Sequence, residues 1–229
     1  MQNEYADPIG RNTVLNPKIW DHDHLKPDVR GALIRMAEDF LAFVEVPVDV
    51  RDIVITGGNV NYTYTKNSDI DLHIVADFDS VRCERETAEL FDSKRLLYKR
   101  QYQLEIYGIP VELYIEDHRT PGVTAGMFSI SQDRWLRKPS RDVPKIDEQE
   151  LAHWIAVWQK ILRRATMTGD LEVCRKALKL LRTYRKKGLA TAAGEFSTPN
   201  LVYKSLRNDQ VIDGMTRLID RLHDQELSI

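Results

Sequence analysis

Residues 53–75 have the sequence IVITGGNVNYTYTKNSDIDLHIV, which contains two strand patterns separated by a polar loop. Its first residues are mostly β-branched and lead into Gly57-Gly58, which is typical of a buried strand entering a tight turn. A polar loop follows, and the alternation of polar and apolar residues at the end of the stretch predicts a second strand. Because successive side chains of a strand point to opposite faces, Asp69 and Asp71 share one face while the apolar residues between them face the core.

Helices and strands alternate on both sides of this stretch. Apolar residues recur at helical spacing from just after Pro27 until Pro47 stops the pattern, and a second helix is predicted from about Ser80 to Arg100. Two further strands are predicted at 103–107 and 111–115, joined as a hairpin through Gly108-Ile109-Pro110. This order predicts an α+β fold in which a mixed β-sheet is packed with helices.

A change in composition near Ile146 predicts a second, all-helical lobe. We expect a first lobe over residues 1–145, with an irregular arm near Leu15–Trp20 and a loop after about residue 120, and a helical lobe over residues 146–229. The helical pattern breaks at Gly169, and a second helix is expected to end at Gly188 as its cap. Two more helices are predicted, the first with Thr198 as its cap and Pro199 in the first helical position, and the second from about Val211 to Leu222.

Composition excludes several classes of protein. The 33 basic and 35 acidic side chains nearly balance, which argues against a nucleic-acid coat protein or a membrane-surface protein. The only two cysteines, Cys83 and Cys174, lie far apart without metal-ligand spacing, so we expect reduced thiols and neither a disulfide framework nor a zinc site. No apolar stretch reaches the roughly 20 residues that span a bilayer. We therefore expect a cytoplasmic protein that does not associate with a membrane.

The acidic strand predicts a metal site. Two carboxylates on one strand face repel each other, and a cation is the natural compensation. Glu112 and Tyr114 share one face of the last predicted strand, so a third carboxylate can reach the same ions. Ligands that offer only oxygen suit Mg²⁺ or Mn²⁺. Two such ions would stabilise the attacking and leaving oxygens of phosphoryl transfer. The alternative is a solvated acidic pair, with Glu112 as a cross-strand partner of a lysine or arginine.

The loop before the acidic strand offers contacts for a nucleotide. Gly57 and Gly58 would let the backbone approach a triphosphate and present amide donors to it. The side chains of Asn59, Thr63 and Ser68 are predicted to hydrogen-bond phosphate oxygens.

The order of strand, double glycine, loop and acidic strand resembles the signature of the DNA polymerase β-like nucleotidyltransferase superfamily. Residues 68–72, Ser-Asp-Ile-Asp-Leu, match it closely, and the likeness covers about residues 53–115. The resemblance implies that Asp69, Asp71 and Glu112 hold the catalytic metals and that the two glycines contact the triphosphate. Many members have Gly-Ser where this chain has Gly-Gly, so Asn59 is expected to supply the phosphate contact of that serine. Residues 194–204 also resemble the C-terminal part of predicted bacteriophage nucleotidyltransferases, which would place the protein in a host cytoplasm.

A basic stripe in the second lobe is the candidate for acceptor or phosphate contacts. Arg175, Lys179, Arg182 and Lys186 fall on one side of a predicted helix, and the opposite side is apolar. The stripe is either a phosphate-binding surface or the solvated face of an amphipathic helix.

Three other groups of residues have two interpretations each. Tyr62 and Tyr64 could stack on a base or pack half-buried. His73 is better explained as a hydrogen-bonded structural histidine than as a residue that tunes a carboxylate or contacts substrate. The motif from Asp21 to His24 is better explained as a polar loop than as a metal site.

These features predict an enzyme that transfers a nucleoside monophosphate from a nucleoside triphosphate, such as ATP, to an acceptor hydroxyl and releases pyrophosphate. Two Mg²⁺ or Mn²⁺ ions would be its cofactors, and RNA is the favoured acceptor. Alternatives are a protein or small-molecule acceptor, synthesis of a nucleotide messenger, or a regulatory protein that binds nucleotides without turnover. The oligomeric state stays open.

Overall fold

The computed structural model describes residues 8–80, 84–119, 124–141 and 144–228. The chain forms two compact units. The sheet unit comprises Gly10–Asp142, and the helical unit combines Met1–Ile9 with Val143–Ile229. A mixed sheet with helices is followed by C-terminal helices, so the predicted fold class is confirmed. Cys83 lies outside the described residues, whereas Cys174 is a buried free thiol.

The sheet unit is built on a mixed sheet of six strands in the order β5-β6-β4-β3-β7-β8. The strands are β3 (Asp49–Thr56), β4 (Ile70–Asp77), β5 (Glu105–Ile106), β6 (Ile109–Asp117), β7 (Met127–Ser129) and β8 (Arg134–Arg137). Neighbouring strands are antiparallel except for β4 and β6, which run parallel at the centre. Two parallel neighbours need a crossover connection, which the helix between them supplies.

One face of this sheet is apolar and covered by two helices, α1 (Pro27–Val44) and α2 (Glu84–Gln101). Ile70, Leu72 and Ile74 of β4 are fully buried, as the alternation in the sequence predicted. Phe40 of α1 packs against Tyr98 of α2 with ring centroids 5.0 Å apart. The opposite, polar face of β4 therefore remains available for the carboxylates.

The segment predicted as an irregular arm contains a small hairpin, β1 (Trp20–Asp21) paired with β2 (His24–Leu25). His22 lies in its turn with a positive φ of 55°. The motif from Asp21 to His24 is therefore the tip of this hairpin. Its two strands have two residues each, which is too short for an alternation pattern to show.

The structure corrects two details of the predicted sheet. The loop after residue 120 contains β7 and β8, which have only three and four residues. The hairpin between β5 and β6 turns at Tyr107 and Gly108, both with positive φ, and Pro110 already pairs with Glu105 in the ladder. Two consecutive positive φ angles fit a two-residue turn of the type that hairpins favour.

The helical unit consists of α3 (Glu148–Thr168), α4 (Leu171–Leu189), α5 (Thr198–Asn208) and α6 (Val211–Leu227). The Asp147 side chain caps α3 by accepting hydrogen bonds from the backbone amides of Gln149 and Glu150. Gly169 ends α3 in the left-handed conformation, as predicted. Ile9 packs in the apolar core that these helices share. None of the helices in the described ranges is both long and apolar enough to cross a membrane.

Two predicted helix ends in this unit are wrong. Gly188 lies inside α4, which continues to Leu189, and a β-carbon built on Gly188 would lie 2.6 Å from Ser197 Oγ. The glycine is thus needed for close packing against the start of α5. Ser197 is the cap residue of α5 and Thr198 its first helical residue.

Gly188 is closely packed and Gly214 is not, so we predict opposite effects of replacing each of them with alanine. Gly188→Ala forces contacts with Ser197 and Pro199, so we expect the free energy of unfolding to fall by about 1–3 kcal/mol. Gly214→Ala, in α6 with open space around the new methyl group, is expected to raise it by about 0.5–1 kcal/mol. Urea denaturation followed by circular dichroism of the full chain measures both. Equal effects of the two substitutions would contradict the packing argument.

Candidate active site

Register across three strands brings the acidic residues together. Thr56 of β3 pairs with Asp71 of β4, and Asp71 pairs with Glu112 of β6. Asp69 immediately precedes β4. One ligand oxygen from each of Asp69, Asp71 and Glu112 can be chosen so that all three lie within 4.8 Å of one another. The structure therefore places the three carboxylates predicted from the sequence in one cluster.

Glu112 is oriented by two donors that flank it. Lys99 Nζ on α2 contacts Oε1, and the Tyr114 hydroxyl donates to Oε2 at 2.7 Å. Burial alone would raise the pKa of Glu112, but the hydrogen bonds from Lys99 and Tyr114 and the charges of Lys99 and Arg95 lower it below its ordinary value. The carboxylate is therefore ionised at neutral pH and both of its oxygens have defined directions.

The row of side chains behind the carboxylates is also polar. His73 Nε2 lies 3.1 Å from Thr56 Oγ1, and the imidazole stacks on the Tyr114 ring with centroids 4.8 Å apart. His73 Nδ1 lies 3.2 Å from a carboxylate oxygen of Glu116 but outside hydrogen-bonding geometry. Burial, the charge of Asp71 and the bond to Glu112 raise the pKa of Tyr114, so its hydroxyl stays protonated and remains a donor.

Only glycine fits at positions 57 and 58, because neighbouring side chains occupy the space that a β-carbon would need. Gly57 has a φ of 88°, and a β-carbon on it would lie 2.3 Å from Asp71 Oδ2. A β-carbon on Gly58 would lie 2.8 Å from Ser68 Oγ. Any larger residue would push one of these oxygens away. The close approach of backbone and carboxylate is a direct reason for the double glycine.

The Asn59 side chain is buried, at 1% exposure, and holds the loop together. Its Nδ2 donates to the backbone carbonyls of Ser68 at 3.0 Å and Asp69 at 2.8 Å. Its Oδ1 accepts from Asn16 Nδ2 at 2.7 Å, and its backbone carbonyl accepts from Trp20 Nε1 at 2.8 Å. The N-terminal arm therefore fastens the loop and the backbone of Asp69, and the amide expected to contact phosphate is bonded within the protein.

Two other predicted nucleotide contacts lie in the same loop. Ser68 Oγ accepts from the Thr65 amide at 2.9 Å, which stabilises the turn before the acidic strand. Thr63 is buried, and its hydroxyl has no hydrogen-bond partner among the residues that the structure describes. Tyr62 and Tyr64 are half-buried, and the Arg141 guanidinium lies over the Tyr62 ring.

The predicted basic stripe lies on α4 within the helical unit. Arg175, Lys179 and Arg182 line a groove with residues of α6, among them Thr216 and Asp220, and Lys186 is exposed in the last turn of α4. Arg175 bonds to Glu172 at 2.9 Å and to His223 at 3.0 Å. Lys179, Arg182 and Lys186 are the exposed members of the stripe.

Reasoning from the sequence missed Lys99 and Arg95. They lie four residues apart on α2, which places them on one side of the helix. Arg95 lies over the Tyr114 ring at 5.0 Å while Lys99 contacts Glu112. The spacing of Arg95 and Lys99 indicates that they share one face of α2. Which residues this face contacts depends on how α2 packs against β6, and the sequence does not reveal that.

Comparison with known proteins assigns a class to the sheet unit. Residues 35–124 match the family model described as "Nucleotidyltransferase domain", a range that contains both glycines and all three carboxylates. No curated protein matches the chain significantly, and no solved structure does. The family match supports the nucleotidyltransferase superfamily and confirms the predicted enzyme class, a nucleotidyltransferase.

Replacing the Asn59 amide should destabilise the sheet unit. Asn59→Ala removes the hydrogen bonds of this side chain to the half-buried carbonyls of Ser68 and Asp69 and to the buried Asn16 amide, so we expect the free energy of unfolding to fall by more than about 2 kcal/mol. Asn59→Asp is expected to cost at least as much at neutral pH, because an oxygen replaces the donor facing both carbonyls. Urea denaturation of the full chain measures the change. Asn67→Ala, an exposed residue of the same loop, is the control and should stay within about 0.5 kcal/mol of wild type.

Proposed function

We propose, starting from the nucleotidyltransferase domain at residues 35–124, that the enzyme transfers a nucleoside monophosphate to an acceptor hydroxyl and releases pyrophosphate. The donor is a nucleoside triphosphate, and ATP is the first to test. Asp69, Asp71 and Glu112 hold two divalent cations, Mg²⁺ or Mn²⁺. The observation that carries this proposal is the convergence of three carboxylates from two neighbouring strands within 4.8 Å.

The donor atoms, the partial burial and the tight surroundings of the carboxylate cluster all suit a divalent cation. Its donors are all oxygens, which suits Mg²⁺ and Mn²⁺. The three residues are half-buried, so their mutual repulsion is screened less by water than at an open surface. Gly57 makes room for the Asp71 carboxylate, which indicates a position that tolerates no bulk.

The residues of the chain have separate tasks in this mechanism. When bound, the cations would stabilise charge on the transferred phosphate and lower the pKa of the acceptor hydroxyl. Gly57 and Gly58 let the triphosphate approach the backbone, and Ser68 and Thr63 offer hydroxyls from the same loop. The side chain of Asn59 instead positions that loop. Lys99 and Tyr114 orient Glu112, the residue we assign to help activate the acceptor.

RNA is the proposed acceptor, and the exposed cations of α4 support it. Lys179, Arg182 and Lys186 are exposed along one side of α4 in the helical unit. Phosphate backbones bind such surfaces with a strong dependence on salt. The bacteriophage likeness and a host-cytoplasmic location stay predictions.

Removing one carboxylate tests the catalytic assignment. Asp71→Asn keeps the size of the side chain but removes its charge, so we expect pyrophosphate release with Mg²⁺ to fall at least about 100-fold. Mg²⁺ or Mn²⁺ should raise the melting temperature of the wild type but not of this variant. Asp133→Asn, in the exposed turn between β7 and β8, is the control and should retain both properties. A fully active Asp71→Asn enzyme would refute the proposal.

Charge removal on α4 tests the RNA acceptor. We expect the triple change Lys179→Ala, Arg182→Ala and Lys186→Ala to weaken RNA binding and to flatten its salt dependence by up to about 0.7 in logarithmic slope per lost contact. Filter binding at several salt concentrations measures both. Lys176→Ala with Lys187→Ala removes charge from another side of the same helix and should have little effect. Equal losses in the two variants would indicate non-specific attraction and count against the stripe.

A further inference from the structure

A pocket in the sheet unit lies beside the loop between β3 and β4, and the residue roles assigned above do not involve it. It encloses about 270 Å³. Its walls come from the N-terminal arm, the tip of the β1–β2 hairpin, Tyr62 of the loop, and the segment from Trp135 to Arg141. This volume is close to the roughly 300–1,000 Å³ typical of sites for small molecules. None of the three carboxylates and neither of the two glycines lines it.

Two aromatic rings give the pocket flat surfaces. Trp20 stacks on Trp135 with centroids 4.8 Å apart and planes inclined by 17°, and Trp135 Nε1 donates to the Asp23 carbonyl at 2.8 Å. The indole is therefore fixed from one side, and its remaining surface contributes to the pocket wall. The backbone of Tyr62 is held by the arm, since its carbonyl accepts from the Asn12 backbone amide at 2.9 Å, and the Tyr62 ring is contacted by Arg141. Fixed aromatic surfaces are well suited to stacking with a nucleobase.

Two cations give the same pocket an excess of positive charge. The Arg141 guanidinium lies 5.3 Å from the centre of the Tyr62 ring, and the Tyr62 hydroxyl interacts with it and raises the pKa of Arg141. Lys138 Nζ lies 3.0 Å from Asp23 Oδ2. Against these two cations, Asp23 is the one carboxylate among the described lining residues. A guanidinium beside an aromatic ring suits a ligand that carries both a flat base and a phosphate.

We propose that this pocket binds the acceptor of the transfer reaction as a nucleotide unit. The base lies against Trp135 and Tyr62, and the phosphate is bound by Arg141 and Lys138. The inference rests on the proposed function and names the chemistry of its acceptor. A donor triphosphate would have its phosphates at the carboxylate cluster, so its base and ribose alone would bring no phosphate to Arg141 and Lys138. A second nucleotide supplies both the ring and the phosphate.

Calorimetry in EDTA tests the pocket without turnover. The probes are the four nucleoside 5′-monophosphates, their nucleosides and inorganic phosphate. We expect at least one monophosphate to bind wild type about tenfold more tightly than its nucleoside or phosphate alone. Arg141→Ala and Tyr62→Leu should each weaken that binding about tenfold or more. Arg134→Ala, an exposed arginine of β8 outside the pocket, is the matched control and should not change it.

Two further titrations separate acceptor from donor and identify the source of the nucleotide. Monophosphate binding should persist when Mg²⁺ and a non-hydrolysable triphosphate saturate the enzyme; competition between them would overturn the acceptor assignment. A short single-stranded RNA with a free 3′ hydroxyl that displaces the monophosphate identifies the end of an RNA chain as the occupant. Absence of displacement identifies a free nucleotide.

The pocket and the proposed function can fail separately. Asp71→Asn should keep the metal-independent binding of the monophosphate, because the pocket does not contain that residue. If wild type binds no monophosphate, or if Arg134→Ala and Arg141→Ala weaken binding equally, the pocket proposal is refuted even when Asp71→Asn is inactive. Melting temperatures of both pocket variants within a few degrees of wild type exclude unfolding as the cause.

Discussion

The parallel pairing of β4 with β6 is the constraint on which the carboxylate cluster depends. It sets Asp71 opposite Glu112, and the antiparallel pairing on the other edge of β4 sets Thr56 in the same row. Side chains alternate along a strand, so a shift of one residue in this register would turn Glu112 toward the core and an apolar neighbour toward the site. Ile55, Leu72 and Leu113 form one buried row across the three strands, and they oppose that shift because it would expose them. Packing on one face therefore determines the chemistry of the other.

Much of this arrangement could be predicted from the sequence, because its main signals are local. The double glycine, the alternation after Asp69 and the alternation around Glu112 are each contained in fewer than ten residues, and they predicted the strands and the carboxylate face. The residues that were missed act over long separations. Lys99 contacts Glu112 only because α2 crosses over β6, and Asn16 bonds to Asn59 across the sheet unit. The residues next to Lys99 and Asn16 in the sequence do not indicate which side chains these two contact.

Asn59 shows how tertiary contacts suggest a second role for a residue of a sequence motif. Its place after the double glycine suggested a phosphate contact, because a polar side chain near a triphosphate is usually a ligand. A buried amide, however, must satisfy two donors and an acceptor, and three partners within the protein do so here. Gly188 is a similar case, since a glycine near a helix end usually signals a left-handed cap but here permits contact with Pro199. In both residues the tertiary neighbours, which periodicity does not reveal, decide the role.

Three different sets of contacts position the three carboxylates. Asp69 depends on a loop whose backbone is bonded to Asn59, Asp71 on strand register and the space above Gly57, and Glu112 on the donors Lys99 and Tyr114. Like charges held this close repel each other, so each needs its own support to keep its direction. Because the charge of Asp71 helps to keep Tyr114 protonated, one carboxylate strengthens the support of another. The cluster is thus preorganised by the protein itself, which would reduce the reorganisation required in the proposed phosphoryl transfer.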